Sequence, residues 1–292
     1  MKRRWAEAGL ALNTVIWGAT FVVVKAALRD VSPILFLALR FTLATGILLA
    51  LFHRALVSRL SRRGAGAGAL TGTFLFTGYL LQTLGLRLTT PPKSAFLTGL
   101  TSVMVPFVAA LVYRIRPQVF ELVGVLVATG GLALMTLEGP VGAINRGDVL
   151  TLACALGFAA HIVTLGHFSE QMSFEILSVI QVAFAAAWSL SLFWWAETPR
   201  ILWRPGVVCA ILITGILATA LAYGIQAWAQ QYTSSARTAL IFMLEPVFAW
   251  LTSYLLAGEG LSPRGALGAA FILGGVLLVE MKPRKSRPHP SK

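Results

Sequence analysis

The sequence has few charged residues and very few cysteines. Only 12% of its 292 residues are charged, about half of the ~25% usual in soluble proteins, which excludes an ordinary soluble domain. Its two cysteines, Cys154 and Cys209, both lie within apolar runs, so we expect two small apolar side chains rather than a disulfide framework. The four histidines show no metal-ligand spacing, and Asp30 and Asp148 are the only aspartates. A metal-dependent membrane enzyme needs clustered carboxylates or histidines, so neither an enzyme nor a cofactor is expected.

Apolar length is what the sequence has in abundance. Hydrophobic residues make up 57% of the chain, and the mean hydropathy is +0.78. Ten runs approach or pass the ~18 residues that a helix needs to cross a bilayer. These predicted spans are Ala8–Leu28, Ile34–Phe52, Ala69–Leu88, Ser94–Tyr113, Phe120–Leu137, Val149–Phe168, Phe174–Trp195, Val207–Tyr232, Thr238–Leu256 and Arg264–Glu280. The predicted fold class is therefore an all-α integral membrane protein with ten transmembrane helices.

The net charge of +13 comes from basic residues at the chain ends and in the gaps between the spans. If the N-terminus is cytoplasmic, the cytoplasmic side collects 15 Lys and Arg residues and the outside collects 7. This distribution follows the positive-inside rule and predicts a multi-pass protein of the cell (inner) membrane with both termini in the cytoplasm. Weak contact with anionic membrane lipid is the expected by-product, and a nucleic-acid partner is not expected.

The second half of the sequence repeats the first. A shift of 144 residues places spans three to five on spans eight to ten without a gap. The matched residues include Tyr79 and Tyr223, Gln82 and Gln226, Thr89 and Thr233, Ala95 and Ala239, Gly124 and Gly268, and the pairs Gly130-Gly131 and Gly274-Gly275. Spans one and two match spans six and seven more loosely at a shift of 140, which places Trp17 on Gly157 and Phe21 on His161.

Each repeat contains five spans. The first repeat is predicted at 6–137 and the second at 147–280, followed by a basic cytoplasmic tail at 281–292. Because five is an odd number, the second copy must enter the membrane in the opposite direction, which gives two inverted five-helix repeats around a central cavity. Two such halves can rock against each other and open a midplane site to either side in turn, which is typical of transporters.

Short motifs in both halves resemble one transporter family. They are Trp17-Gly18-Ala19-Thr20-Phe21 with Lys25, Pro33 with Arg40, Ser94 to Leu100, Ala239, Glu245-Pro246, Gly258-Glu259 and Gly274-Gly275. From about Ala6 to Glu280 the chain resembles the EamA-type ten-helix members of the drug/metabolite transporter superfamily. The resemblance implies a cavity lined largely by spans one, three, four, six, eight and nine. It also implies export of a small-molecule substrate, either a toxic amphipathic compound or an amino acid or derivative, aromatic ones included, as in YddG-like exporters. A metabolite importer or exchanger and a passive channel are the alternatives.

Polar side chains within the spans are candidate site residues, because a central charge costs about 2.5 to 3.5 kcal/mol on insertion scales. Glu245 lies near the middle of span nine and precedes Pro246, which loosens the preceding turn of the helix. Its carboxylate could bind a cationic group or carry a proton as the coupling ion, or it could lock helix packing as a neutral or paired side chain. The aligned first-half residues are Thr101-Ser102, so a role of Glu245 is confined to one repeat.

A polar and aromatic stripe occurs in both repeats. Tyr79 and Gln82 lie three residues apart on one face of span three, and Tyr223, Gln226 and Gln230 repeat this stripe on span eight. Glutamine offers donors and an acceptor, and tyrosine adds an aromatic wall with a hydroxyl group. The stripe predicts substrate-binding residues on a central cavity, and the alternative is hydrogen bonding between helices.

Further candidates lie on spans one and six. Asn13, Trp17 and Phe21 are spaced four apart on span one, and Trp17 is too deep for the interfacial aromatic belt, so it packs or lines the pathway. His161 lies in mid-span on the position aligned with Phe21. It is a candidate for substrate binding or proton relay, with a hydrogen-bonded packing role as the alternative.

Two cations and several glycines have simpler expected roles. Lys25 and Arg40 lie within two turns of the outer face, where they are expected to snorkel to headgroups, with anion recognition at the outer mouth as the alternative. The Gly/Ala stretch at 64–68 predicts a flexible cytoplasmic linker. Close approach of helices is expected at Gly124, Gly130, Gly131, Gly268, Gly274 and Gly275.

Overall fold

The computed structural model describes residues 1–89, 91–114, 118–137, 144–248, 250–251 and 262–280. Its helices are α1 (Lys2–Ala27), α2 (Pro33–Arg59), α3 (Arg62–Leu88), α4 (Pro91–Gly99), α5 (Thr101–Tyr113), α6 (Val119–Thr136), α7 (Arg146–Ser169), α8 (Phe174–Ala196), α9 (Pro205–Gly215), α10 (Ala222–Ala229), α11 (Ser235–Phe242) and α12 (Pro263–Glu280). A π-helical turn at Ile216–Leu221 joins α9 to α10, and residues 245–248 are helical after α11. The predicted basic tail at 281–292 and the Gly258-Glu259 motif lie outside the described residues.

Large apolar side chains are exposed and several polar side chains are buried, in contrast to a soluble protein. Trp5, Leu111 and Trp195 are 70%, 84% and 75% exposed, whereas Arg40 and Gln226 are buried. Six helical stretches are long and apolar enough to cross a bilayer. They are Lys2–Ala27, Pro33–Arg59, Ser94–Tyr113, Arg146–Ser169, Phe174–Ala196 and Pro205–Ala229. The protein is an all-α, multi-pass membrane protein built from about ten helical spans.

Helices α6 and α12, the last of each repeat, pack against each other in opposite directions. The backbone at Gly124 lies against Gly275, and the backbone at Gly131 lies against Gly268. A Cβ atom added at any of the four would lie only 2.5 to 2.8 Å from the carbonyl oxygen of the opposing glycine. A shift of 144 residues exchanges the two pairs, so the contact has the symmetry of the repeat. Equivalent helices that run antiparallel are what an inverted repeat requires.

The glycines adjacent to these contacts behave differently from the prediction. A Cβ atom added at Gly130 or Gly274 would meet nothing within 4 Å. The expectation that both of them permit close helix approach is therefore wrong. Adjacent residues on a helix point about 100° apart, so only one member of each Gly-Gly pair can face the partner helix.

The prediction of a flexible linker at 64–68 is also wrong, because these residues belong to α3. The hydroxyl of Ser61 accepts a hydrogen bond from the Gly64 backbone N–H at 3.0 Å and so caps the helix. Further along, a Cβ atom on Gly68 would lie 2.5 Å from the side chain of Ile180 on α8. Gly68 therefore allows α3 to pack closely on α8.

Helices α2 and α8 form a second antiparallel pair of repeat equivalents. The ring of Phe52 near the end of α2 lies 5.7 Å from that of Phe174 at the start of α8. At the opposite end, the carboxylate of Glu197 accepts hydrogen bonds from the backbone N–H groups of Ile34 and Leu35 at 3.1 and 2.8 Å. The first N–H groups of a helix have no partner within the helix, and a negative charge is favoured there. Glu197 thus joins the end of α8 to the start of α2.

Replacement of Glu197 by alanine is expected to lower the free energy of unfolding by about 1 to 2 kcal/mol, because two N–H groups lose a charged acceptor. The change is measurable as a lower melting temperature of the purified protein in detergent. Glu170→Ala is the control, since Glu170 is exposed and ends α7, where a negative charge is not favoured. Equal melting temperatures for the two variants would contradict the capping role.

The fourth and ninth spans are interrupted at equivalent positions. Helices α4 and α5 meet at Leu100, and α11 ends before a turn at Leu244, just ahead of Pro246. At both breaks a hydrogen bond to the third preceding residue replaces the usual one, from Leu100 N–H to Leu97 O at 3.3 Å and from Leu244 N–H to Ile241 O at 3.0 Å. Interrupted helices near the bilayer midplane are typical of transporter binding sites.

Candidate functional site

A cavity opens between the helices in the middle of the bundle. The eight site residues predicted from the sequence all line this one cavity: Trp17, Phe21, Tyr79, Gln82, His161, Tyr223, Gln226 and Glu245. Spans one, three, four, six, eight and nine form most of its wall, as the family resemblance implies. Arg40 from the second span and Leu132 from the fifth complete it. The structure brings the eight residues together, and their role in binding substrate stays a prediction.

Tyr79 and Tyr223, which are repeat equivalents, meet in the cavity wall. The Tyr223 hydroxyl donates a hydrogen bond to the Tyr79 hydroxyl at 2.9 Å, and the two rings are nearly perpendicular. Phe158 adds a third ring, whose centroid lies 5.2 Å from that of Tyr79. Equivalent residues of two halves can meet in this way only on the axis that relates the halves. The hydrogen bond therefore marks the pseudo-two-fold axis of the protein.

Trp17 forms an aromatic wall that only one repeat provides. Its ring packs against Tyr223 and Phe242 with centroid distances of 5.6 and 4.8 Å. Its Nε1–H donates to the carbonyl oxygen of Ala218 at 2.9 Å, within the π-helical turn. Single π-helical turns inside α-helices occur frequently at functional sites. Because the repeat equivalent of Trp17 is Gly157, the cavity is asymmetric.

The two equivalent glutamines have different partners. The side-chain amide of Gln82 donates to Thr98 Oγ1 at 3.3 Å, whereas that of Gln226 donates to Gln230 Oε1 at 3.1 Å. Gln226 Oε1 is buried and has no hydrogen-bond partner in the described part of the chain, so an acceptor is available at the cavity wall. Gln230 donates to the backbone oxygen of Ile162 at 2.9 Å and ties α10 to α7.

His161 is held in place by its neighbours. It is 1% exposed, and its Nε2 lies 2.8 Å from Gln181 Oε1, which requires a proton on Nε2. Its ring stands perpendicular to Tyr223 at a centroid distance of 5.5 Å. This geometry is that of a hydrogen-bonded packing side chain whose edge reaches the cavity.

Glu245 brings a carboxylate to the cavity immediately after the break in the ninth span. Within the residues that the structure describes, it has neither a hydrogen bond nor an ion pair. A carboxylate in this position can accept hydrogen bonds from a bound cationic group or exchange a proton with the cavity.

Arg40 lines the same cavity and is only 4% exposed, so the expectation that it snorkels to headgroups is wrong. Its Nε and Nη2 donate to Thr219 Oγ1 at 3.1 and 2.8 Å. The guanidinium lies over the ring of Tyr79, 4.6 Å from its centroid, and 5.5 Å from that of Phe41. Thr219 is 179 positions away in the sequence, which is why the burial of Arg40 was not predicted.

Lys25 is placed differently from the expectation as well. Its ammonium group donates to the carbonyl oxygens of Leu86 and Thr89, the latter at 3.1 Å. These carbonyl groups lie at the C-terminal end of α3, where backbone oxygens lack an N–H partner within the helix and a positive charge is favoured. Lys25 therefore caps a neighbouring helix rather than reaching the lipid.

Other lining residues were not predicted, among them Thr98, Phe158 and Phe242. Phenylalanines are common in apolar spans, so the sequence around the two rings carries no signal that separates a cavity wall from a lipid-facing surface. Thr98 lies two residues before the break at Leu100.

An ionic cluster ties α1 to α11 at the face where α1 begins. The Glu7 carboxylate accepts a hydrogen bond from Arg3 at 2.7 Å and lies 3.6 Å from the guanidinium of Arg237. In the other direction the lining of the cavity extends to Val24 and Leu86, in the last turns of α1 and α3. The cavity therefore extends from the middle of the protein toward the face opposite the N-terminus.

The chain matches the EamA-like transporter family over residues 4–137 and again over residues 145–281. It is 36% identical over 282 residues to an uncharacterized transporter of Archaeoglobus fulgidus, with 97% of this chain and 88% of that protein covered. It is 26% identical over 282 residues to a probable amino-acid metabolite efflux pump of Salmonella typhimurium, with 91% and 92% covered. One solved crystal structure superimposes with a TM-score of 0.75 at 18% identity, covers 92% of this chain and 94% of that one, and shows the fold alone.

A polar and aromatic cavity between two related sets of membrane helices is typical of a membrane transporter. The chain belongs to the EamA-like transporter family, within the drug/metabolite transporter superfamily. Its family and relatives are transporters and not enzymes, as the sequence predicts.

Proposed function

We propose that the protein is a secondary transporter of the cell membrane that exports small amphipathic metabolites, above all amino acids and their derivatives. The observation that carries this proposal is the composition of the cavity, which joins aromatic rings, amide groups, one cation and one carboxylate. Aromatic walls bind the apolar part of such a substrate, and the polar groups orient its charged end. The Salmonella relative, named as a probable amino-acid metabolite efflux pump, supports the same substrate class.

Transport proceeds by alternating access, with the repeats at 6–137 and 147–280 as the two moving units. The glycine contacts between α6 and α12 and the Tyr79–Tyr223 hydrogen bond lie where two such units meet. With both termini in the cytoplasm, the cavity faces outward in this state. Opening it to the cytoplasm requires separation of α1 from α11, and hence of Glu7 from Arg237.

A proton is the proposed coupling ion, and Glu245 is its carrier. The carboxylate faces the cavity without a partner in the described residues, so a proton and a cationic substrate group compete for the same atoms. Competition of this kind is how one site links the movement of two solutes in opposite directions.

Replacement of Glu245 by glutamine is expected to abolish export driven by a pH gradient while substrate exchange at equal pH continues. Glutamine keeps the size and the acceptor oxygen of Glu245 but cannot carry a proton. The measurement is uptake and counterflow of radiolabelled phenylalanine in proteoliposomes of one orientation. Glu170→Gln is the matched control, because Glu170 is exposed at the end of α7, outside the cavity.

Other outcomes would contradict different parts of the proposal. Undiminished gradient-driven transport by Glu245→Gln would remove this residue as the proton carrier. Flux that neither saturates nor shows counterflow would indicate a passive channel. Accumulation only in the direction of the cytoplasm would indicate an importer.

A further inference from the structure

Arg40 is a buried cation without a carboxylate partner among the residues that the structure describes. It lies seven residues beyond Pro33, at which α2 begins, or about 10 Å along the helix. At 4% exposure its guanidinium is far from bulk water, and such a charge is stable only if polar groups or a counter-ion compensate for the lost hydration. The only described carboxylate on the same cavity is Glu245, and the two form no ion pair.

The protein holds Arg40 in place but uses only part of its hydrogen-bonding capacity. Both Nε and Nη2 donate to a single atom, Thr219 Oγ1. The ring of Tyr79 lies under the guanidinium at 4.6 Å and stabilises its charge. A guanidinium has five N–H donors, and the remaining three have no partner in the described chain although the residue lines the cavity. The planar fork that remains is suited to two parallel hydrogen bonds with a carboxylate.

The π-helical turn fixes the acceptor that orients Arg40. The Thr219 hydroxyl donates its own proton to the carbonyl oxygen of Thr214 at 2.7 Å, five residues earlier. Its lone pairs are therefore free to accept from the guanidinium. The repeat equivalent of Thr219 is Leu75, which is fully buried in an apolar cluster. The threonine acceptor thus has no counterpart at the equivalent position of the first repeat, as expected of a group that binds one end of an asymmetric substrate.

We propose that Arg40 binds the carboxylate group of the transported substrate. The transported class is then amphipathic carboxylates with a large apolar group, and α-amino acids with aromatic or branched side chains are its natural members. Arg40 and Glu245 line the same cavity, and Arg40 lies over the ring of Tyr79, whose hydroxyl is bonded to Tyr223. An α-amino acid presents its carboxylate to Arg40 and its ammonium group to Glu245. This proposal rests on the proposed function and assigns the orientation of the substrate within that site.

The test compares ligands and variants together in proteoliposome counterflow. Radiolabelled phenylalanine is the reporter, and unlabelled phenylalanine and phenylalaninamide are the competitors, because the amide keeps the ring and the amino group but lacks the carboxylate. The wild-type protein is expected to prefer phenylalanine by about 10- to 100-fold, the effect of one charge-assisted hydrogen-bonded pair. In Arg40→Gln this preference for phenylalanine over phenylalaninamide is expected to disappear. Phenylalaninamide is expected to compete for the remaining counterflow of this variant as well as it competes in the wild type.

Two further variants separate binding from structure. Arg40→Lys keeps the charge but not the fork, so part of the preference is expected to remain. Thr219→Val keeps the shape of the side chain and removes the acceptor, so the preference for phenylalanine over phenylalaninamide is expected to fall. The melting temperature of Thr219→Val is expected to stay near that of Arg40→Gln. Arg87→Gln is the control, because Arg87 is exposed at the end of α3.

The outcomes for the two proposals are distinct. Preference for phenylalanine that persists in Arg40→Gln would overturn the assignment of Arg40 and leave the proposed function in place. Loss of competition by both ligands to the same extent would show that Arg40 is structural and would also overturn the assignment. Absence of amino-acid counterflow in the wild-type protein would overturn the proposed function and this proposal with it.

Discussion

Replacing Gly131 or Gly275 by alanine is expected to destabilise the protein, whereas the same change at the adjacent Gly130 or Gly274 is not. A Cβ atom at Gly131 would lie 2.5 Å from the carbonyl oxygen of Gly268, and one at Gly275 would lie 2.6 Å from that of Gly124. Backbone atoms cannot rotate away as a flexible side chain can, so α6 and α12 would have to separate. Overpacking of this kind costs about 1 to 3 kcal/mol.

The neighbouring glycines provide a control on the same helices. A Cβ atom at Gly130 or Gly274 meets nothing within 4 Å. Alanine is favoured over glycine in a helix by up to about 1 kcal/mol, so these variants are expected to be as stable as the wild type or more stable. Melting temperatures of the four single variants in one detergent provide the comparison. If all four shifted alike, helix propensity and not close packing would determine the effect.

Replacing Trp17 by alanine is expected to weaken the transport of aromatic substrates strongly. The change removes ring contacts with Tyr223 and Phe242 and the hydrogen bond to the Ala218 carbonyl oxygen. Truncation of a packed tryptophan costs about 3 to 5 kcal/mol. Part of this free energy is lost from the stability of the protein and part from the binding of a substrate that packs on the ring. A rise of at least tenfold in the half-saturation concentration for phenylalanine is therefore expected.

Two controls separate these contributions. Trp17→Phe keeps an aromatic wall and loses only the N–H donor, so it is expected to retain most of the affinity. Trp5→Ala removes the same side chain from the same helix at a site that is 70% exposed, and no change in transport is expected. A half-saturation concentration in Trp17→Ala equal to that in Trp5→Ala would place the substrate away from this wall.

Span positions could be predicted from the sequence because a bilayer accepts only long apolar helices whose backbone groups are satisfied internally. The repeat could be predicted because special residues such as Tyr79 and Gln82 recur at one fixed shift. The same residues then fall on the cavity, since a helix face that carries polar groups inside a membrane must face protein or water. The pattern of apolar and polar residues and the requirements of the bilayer were therefore sufficient to predict this part of the fold.

The rest depends on contacts between distant parts of the chain. Arg40 resembles any cation near a span end until Thr219 on another helix is seen to hold it. The stretch at 64–68 has the composition of a linker, yet it is helical, and Gly68 packs against Ile180 on α8. Gly99 directly precedes the break at Leu100, but a single glycine in an apolar run also suits close helix packing and so does not identify a break. In each case tertiary structure overrides local preference.

The hydrogen bond between Tyr79 and Tyr223 joins two copies of the same group. If the two repeats were identical, exchanging donor and acceptor would produce a state of equal energy, and a carrier would face each side of the membrane for equal times. Arg40 lies against the Tyr79 ring, whereas Tyr223 packs on Trp17. In the proposed alternating-access cycle the two orientations therefore differ in free energy, and the empty carrier rests mainly in one of them. In such a cycle the substrate or the proposed coupling ion makes up this difference through tighter binding to the less populated orientation.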